Sequence, residues 1–219
     1  MYHLSPSMLC ANPLEIGAAI TEWNQLKIDW FHIDVMDGKF VPNFAMGTDC
    51  FREMCKAGKH PFYVHMMAEN PEKYIPLYAE MGASYYCFHY ETTNNPFRIC
   101  QAILENGMKP AIALNPITPV EAIKDLLPYL DVVTLMAIEP GFSGQEFLQH
   151  TYNKISCLKE MIRDFPVLIE VDGGADDSIA ARCIRCGCDV VVGGYFSVFR
   201  SNNTLKENYE TFMTTVKEI

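Results

Sequence analysis

Short apolar runs recur along the chain, each long enough for one strand and each followed by a stretch of helical periodicity. The strand candidates are Leu4–Leu9, Trp30–Val35, Pro61–Met67, Tyr85–His89, Lys109–Leu114, Val132–Ala137, Val167–Val171 and Asp189–Gly193. The helical candidates are Leu14–Leu26, Asp49–Ala57, Pro71–Met81, Pro96–Asn106, Val120–Leu127, Thr151–Asp164, Asp177–Arg185 and Leu205–Ile219. Thr118-Pro119-Val120-Glu121 reads as an N-cap, a proline at the first helical position and an acid in the first turn. Gly58, Gly82, Gly107 and Gly187 stand where helices should stop. Strand–helix alternation of this kind implies a parallel sheet with helices outside. Eight such units in 219 residues predict a single α/β domain over residues 1–219, a closed (β/α)₈ TIM barrel rather than an open doubly wound sheet. The length lies near the lower end for that fold, about 200 residues.

Composition narrows the class without changing that picture. Half the residues are apolar (49%) and a fifth charged (20%), the balance of a globular protein rather than a disordered one. The net charge is −10 and no basic cluster stands out, so nucleic acid is not an expected partner. No apolar run reaches the ~18 residues of a membrane span, and no membrane partner is expected. Nine cysteines, with no secretory segment ahead of the first strand, fit a reduced cytoplasmic protein with free thiols. Cys183, Cys186 and Cys188 have the look of a zinc knuckle, but a second ligand pair is missing. The run Cys183-Ile184-Arg185-Cys186-Gly187 reads better as a helix ending on its C-cap glycine.

Position turns the polar residues into a candidate site. Ser7 lies near the end of the first strand, His32 and Asp34 at the end of the second and His65 at the end of the third. His89, Asn115, Met136, Asp172, Gly193 and Gly194 fall at or just past the ends of the remaining strands. All therefore meet at the C-terminal rim, where this fold builds active sites. His32 and Asp34 are two residues apart on a strand and project to the same side. With His65 and Asp172 they offer two imidazoles and two carboxylates, a set suited to zinc, iron(II), manganese or cobalt. Four unpaired polar groups at one barrel mouth would otherwise be costly.

Five motifs, in order along the chain, resemble the ribulose-phosphate 3-epimerase family. They are Phe31-His32-Ile33-Asp34-Val35-Met36-Asp37-Gly38-Lys39-Phe40-Val41-Pro42-Asn43, Val64-His65-Met66-Met67, Asn115-Pro116-Ile117-Thr118-Pro119, Met136-Ala137-Ile138-Glu139-Pro140-Gly141-Phe142-Ser143-Gly144-Gln145 and Glu170-Val171-Asp172-Gly173-Gly174. The resemblance runs from Ser5 to about Phe199. It implies a metal-dependent isomerase that epimerises carbon 3 of a ketose phosphate through an ene-diolate. It further implies that His32, Asp34, His65 and Asp172 ligate one divalent metal and that Asp34 and Asp172 form the acid/base pair. Ser7 is then a substrate contact, and Met36, Met67 and Met136 line the pocket. The phosphate is expected on backbone amides at Gly173, Gly174, Gly193 and Gly194, since glycine permits close approach. Gly141 to Gly144 reads either as a mobile loop over the substrate or as a tight turn.

Two departures bear on the substrate. Gly194-Tyr195-Phe196-Ser197 replaces the family's usual Gly-Ser with small neighbours, and Ser143 replaces a frequent glycine. A longer loop there resembles enzymes acting on D-allulose 6-phosphate, whereas Gly47 resembles the pentose enzymes. D-ribulose 5-phosphate, interconverted with D-xylulose 5-phosphate, is the expected substrate and D-allulose 6-phosphate the alternative. A metal-dependent hydrolase and a silent sugar-phosphate binding protein are the competing classes. A homo-oligomer is expected.

Overall fold

A computed structural model describes residues 3–217. Nine strands form one sheet: β1 Leu4–Pro6, β2 Phe31–Asp37, β3 Phe44–Ala45, β4 Phe62–Met67, β5 Tyr85–His89, β6 Lys109–Leu114, β7 Val132–Met136, β8 Leu168–Asp172 and β9 Val190–Gly193. The order is β1-β9-β8-β7-β6-β5-β4-β2-β3. All neighbours are parallel except β3, a two-residue strand antiparallel to the end of β2. The remaining seam, between β1 and β2, is closed by a parallel bridge from Ser7 to His32 and by the Asp29 amide donating to Leu4 O at 2.9 Å. The eight long-range parallel strands thus curl into the expected barrel. Helices α1 Ile16–Trp23, α2 Thr48–Ala57, α3 Ile75–Met81, α4 Pro96–Glu105, α5 Thr151–Met161, α6 Asp177–Arg185 and α7 Leu205–Lys217 lie between or after the strands.

The period of two along each strand sorts side chains into two cores. Phe31, Ile33, Val64, Met66, Tyr86, Phe88, Ile112, Val133 and Val171 face outward into the main core beneath the helices. Trp30, Tyr63, Cys87, Ala111, Ala113, Val132 and Val190 face inward and fill the barrel floor. On that floor the sequence also buries Glu170 completely. Its carboxyl accepts from Trp30 Nε1 at 2.8 Å and from Thr134 Oγ1 at 2.8 Å, and Thr134 meets the Tyr63 hydroxyl at 2.6 Å. A buried donor stripped of its acceptor costs roughly 1–3 kcal/mol. Glu170→Leu orphans the Trp30 indole and removes an acceptor for Thr134, so its urea midpoint should fall by the equivalent of several such kcal/mol. An unchanged midpoint would show that the floor does not depend on this network.

Several expected boundaries shift for local reasons. The first strand stops at Pro6, and Met8–Cys10 forms a 3₁₀ turn. The second runs on to Asp37 because β3 pairs with its end. Asp37 then holds the turn, accepting from the amides of Lys39, Phe40 and Glu69. Asp172 is the last residue of β8 rather than a residue beyond it. The stretch after Pro119 is a 3₁₀ helix, Val120–Tyr129, with Pro128 inside it. Its cap is extended Pro119, not Thr118, whose hydroxyl is spent on Glu91. The expected helix over Pro71–Met81 divides into a 3₁₀ turn, Pro71–Tyr74, and α3, with Pro76 in its first turn. Helices α1 and α5 are shorter than the pattern predicts. Of the expected last helix, Glu218 and Ile219 lie outside the described residues. At the cysteine triplet α6 ends as read: Gly187 has φ 110° and the Cys188 amide returns to Cys183 O at 3.1 Å. All nine cysteines are free thiols, and no described helix is long and apolar enough to cross a membrane.

Candidate active site

The inward positions of β2, β4 and β8 bring four polar side chains to one point above the floor. β2 supplies His32 and Asp34, β4 supplies His65, and β8 supplies Asp172. His32, Asp34 and His65 are buried, and Asp172 nearly so. The donor atoms define a tight polyhedron. His32 Nε2 lies 3.2 Å from His65 Nδ1, 3.3 Å from Asp34 Oδ1 and 3.5 Å from Asp172 Oδ2. His65 Nδ1 lies 3.1 Å from Asp34 Oδ1 and 3.4 Å from Asp172 Oδ2. Ligands about 2.0–2.1 Å from a shared ion stand about 3.3 Å apart in a tetrahedron. Five of the six edges match that spacing, so geometry and donor chemistry both fit a divalent metal.

The charges agree. Burial pushes Asp34 and Asp172 up, but His32 and His65 beside them outweigh it and hold both carboxyls below the ordinary range. Burial disfavours a charged His32, yet Glu170, Asp34 and Asp172 around it raise it well above the usual histidine value. Each ligand is also held from behind. Ser7 Oγ donates to Asp34 Oδ2 at 2.7 Å, so the serine that the sequence marks as a substrate contact is engaged with the carboxyl itself. His32 Nδ1 faces Glu170 Oε1 at 3.4 Å. His65 Nε2 faces His89 Nε2 at 2.8 Å.

A cleft open to solvent lies over these groups. Ser7, Asp34, Asp172, Met36, Met67 and Met136 line its depth, and Gly141, Gly144, Gly173, Gly174 and Gly194 its upper wall. All three methionines are buried.

A family model described as the ribulose-phosphate 3 epimerase family matches residues 3–199. The chain belongs to the ribulose-phosphate 3-epimerase family. A ribulose-phosphate 3-epimerase of Aquifex aeolicus is 41% identical over 194 residues, covering 87% of each chain. One from Eremothecium gossypii is 36% identical over 203 residues, covering 87% of this chain and 84% of its own. Membership places the chain among isomerases. Solved structures of similar shape share the barrel alone. A tryptophan synthase alpha-subunit mutant from Pyrococcus furiosus superposes with a TM-score of 0.71 at 12% identity, covering 99% of this chain and 97% of its own. Phosphoribosyl anthranilate isomerase from Thermococcus kodakaraensis gives 0.68 at 15%, covering 99% of each.

Within this epimerase-family site, not every residue singled out by sequence falls where expected. Gly193 does not line the cleft: a Cβ there would meet Leu4 and Val198, both at 2.8 Å, and its carbonyl accepts the Ser7 amide. Its role is close packing at the β1–β9 seam. The Gly194 amide donates to Ser197 Oγ at 3.1 Å, whereas among the described residues the amides of Gly173 and Gly174 donate to no carbonyl. The loop over the cleft is a pinned turn. Gln145 Nε2 donates to Glu139 O and Phe142 O, and Asn43 Nδ2 donates to Gly141 O. Gly174 has φ 68°, and a Cβ there would meet Phe147 N at 2.8 Å and Gln145 O at 2.9 Å. Gly174→Ala is therefore expected to lose roughly 1–3 kcal/mol of stability from the left-handed backbone alone, with more from the collision. A denaturant melt matching the unsubstituted protein would contradict this. The first of these glycines to vary is thus Gly194, whose Cβ would meet only Cys10 Sγ at 3.3 Å.

Sequence reasoning missed Glu170, Glu91 and Thr134 as supports of the site, and noted His89 only for its place at a strand end. Glu170 offered one usable signal. It stands two residues before Asp172 on the same strand and so shares its inward face.

Proposed function

We propose that this chain interconverts D-ribulose 5-phosphate and D-xylulose 5-phosphate by moving the proton at carbon 3. The observation that carries this reading is the convergence of Asp34 and Asp172, from β2 and β8, three places apart around the barrel, beneath a wall of Met36, Met67 and Met136. His32, Asp34, His65 and Asp172 would hold one divalent ion, and zinc, iron(II), manganese and cobalt suit such a donor set. Bound there, it would act as a Lewis acid toward the charge that develops on the substrate oxygens.

The chain's own groups do the rest. One aspartate takes the carbon 3 proton from one face, and the other returns a proton to the opposite face. Their roles exchange with the direction of reaction. The two carboxyls share one pair of imidazoles, so their titrations belong to the pair. Ser7 fixes the rotamer of Asp34 through its hydrogen bond. The methionines present apolar, polarisable surface and keep water from the reacting carbon. Gly173 and Gly174 offer free amides to the phosphate, and Gly194 leaves room beside them.

D-Allulose 6-phosphate is the second reading. Tyr195 and Phe196, half exposed on the turn after β9, line the cleft and would bear on the length of substrate it takes. Steady-state kinetics on both ketose phosphates decides between them. A higher kcat/KM for ribulose 5-phosphate is expected. A preference for allulose 6-phosphate moves the assignment to the hexulose, and no turnover of either overturns it.

A further inference from the structure

Behind His65 lies a chain of polar groups that metal ligation and proton transfer do not use. His89 ends β5 and is completely buried. The His65 and His89 ring centroids are 5.0 Å apart, the planes are within 22° of each other, and the facing nitrogens are 2.8 Å apart. The centroid separation exceeds the nitrogen separation by two ring radii. The imidazoles therefore meet edge to edge, in line, as an N–H donor and a nitrogen lone pair must. On its far side His89 Nδ1 lies 3.4 Å from Glu91 Oε2, at an angle outside hydrogen-bond geometry. Asn115 Oδ1 is also buried without a hydrogen-bond partner. Glu91 is itself fixed, its Oε1 accepting from the Asn115 amide at 2.9 Å and from the Thr118 hydroxyl. Phe40 covers His89 from above, ring to ring at 4.8 Å.

Proton placement follows from counting donors. His65 Nδ1 faces the other three donor atoms of the metal cluster, so it must present a lone pair there to ligate. The His65 proton then sits on Nε2 and points at His89 Nε2. His89 must accept it, which places its own proton on Nδ1, toward Glu91 and Asn115. The reverse arrangement would put a proton on His65 Nδ1 and close it to a metal.

We propose that His89 and Glu91 are positioning residues that lock His65 in its metal-binding tautomer, through a relay running from β4 across β5 to the loop after β6. The inference rests on the metal-site reading given above. Partners of this kind behind a ligating histidine typically change metal affinity by about 10–100-fold when lost. Glu91 also joins the relay to the Asn115–Thr118 segment, which explains why the Thr118 hydroxyl is not free to cap the following helix.

Zinc titration against a chromogenic chelator tests it. His89→Phe fills the same space without an acceptor and should weaken zinc binding about 10–100-fold. His89→Gln keeps an acceptor near the Nε2 position and should restore most of that loss. Equal zinc affinity in His89→Phe and the unsubstituted protein, or equal losses in the Phe and Gln variants, would overturn the proposal. Should the Phe variant not fold, the zinc-loaded unsubstituted protein answers the question through long-range proton–nitrogen spectra of its imidazoles. A proton on His65 Nε2 and one on His89 Nδ1 are expected; a proton on His89 Nε2 overturns the relay. His65→Ala separates the two levels of inference. Undiminished zinc binding in that variant removes the metal site itself, whereas lost binding there with unchanged binding in His89→Phe removes the relay alone.

Discussion

Asp34→Asn and Asp172→Asn are each expected to slow epimerisation by a factor of about 10²–10⁴ in both directions. Asparagine keeps the shape of the side chain but cannot exchange a proton, and each direction of reaction needs one group as base and the other as acid. Each change also removes an anionic donor from a cluster whose edges are 3.1–3.5 Å. Metal content must therefore be measured alongside rate, since a lost ion deepens the defect. With metal retained, half of the chemistry should survive. In deuterated water one variant should exchange the carbon 3 proton of one epimer, and the other variant that of its partner epimer. Exchange of the same epimer by both variants, or a wild-type rate from either, would eliminate the two-base reading.

Removal of the metal should be nearly as severe. Four buried or nearly buried donors converge with a tetrahedral spacing, and among the described residues no lysine or arginine lines the cleft to take over charge stabilisation. Lewis-acid stabilisation is worth several kcal/mol, and each 1.36 kcal/mol is about tenfold in rate. Chelation should thus cost about 10²-fold or more, and titrating back zinc, manganese, cobalt or ferrous ion should restore activity in proportion to occupancy. Full activity in rigorously metal-free protein would refute the assignment. The same preparation supplies the reference state for the zinc titrations on His89.

Alternation of apolar runs with helical stretches was enough to place eight barrel strands, because a parallel strand is buried on both faces and reads as a short apolar run. The strand period of two put His32 and Asp34 on one face, and His65 and Asp172 joined them because all four stand near strand ends. What lay outside its reach depended on partners distant in sequence. Thr118 has every local mark of an N-cap, yet a carboxyl 27 positions earlier takes its hydroxyl. The second strand outlasts its apolar run only because a two-residue strand folds back on it. Gly193 and Gly194 look alike in the sequence. One packs against Leu4 and Val198 while the other borders the cleft, a distinction drawn by neighbours rather than by residue type. Glu170 reads as a polar break in an apolar strand until Trp30, Thr134 and His32 are set around it.

The seam at Ser7 also carries a consequence for synthesis. β1 leaves the ribosome well ahead of its partner β9, which lies nearly the whole described chain away. Ser7 itself donates its amide to Gly193 O, bridges to His32 and donates its hydroxyl to Asp34. Contacts so distant in sequence carry a large loop-closure cost and form late. A nascent chain lacking its final strand can therefore hold most of the sheet and still have an unfinished cleft, with Asp34 deprived of its serine. Activity should emerge in one step, when the last strand arrives to clasp the first.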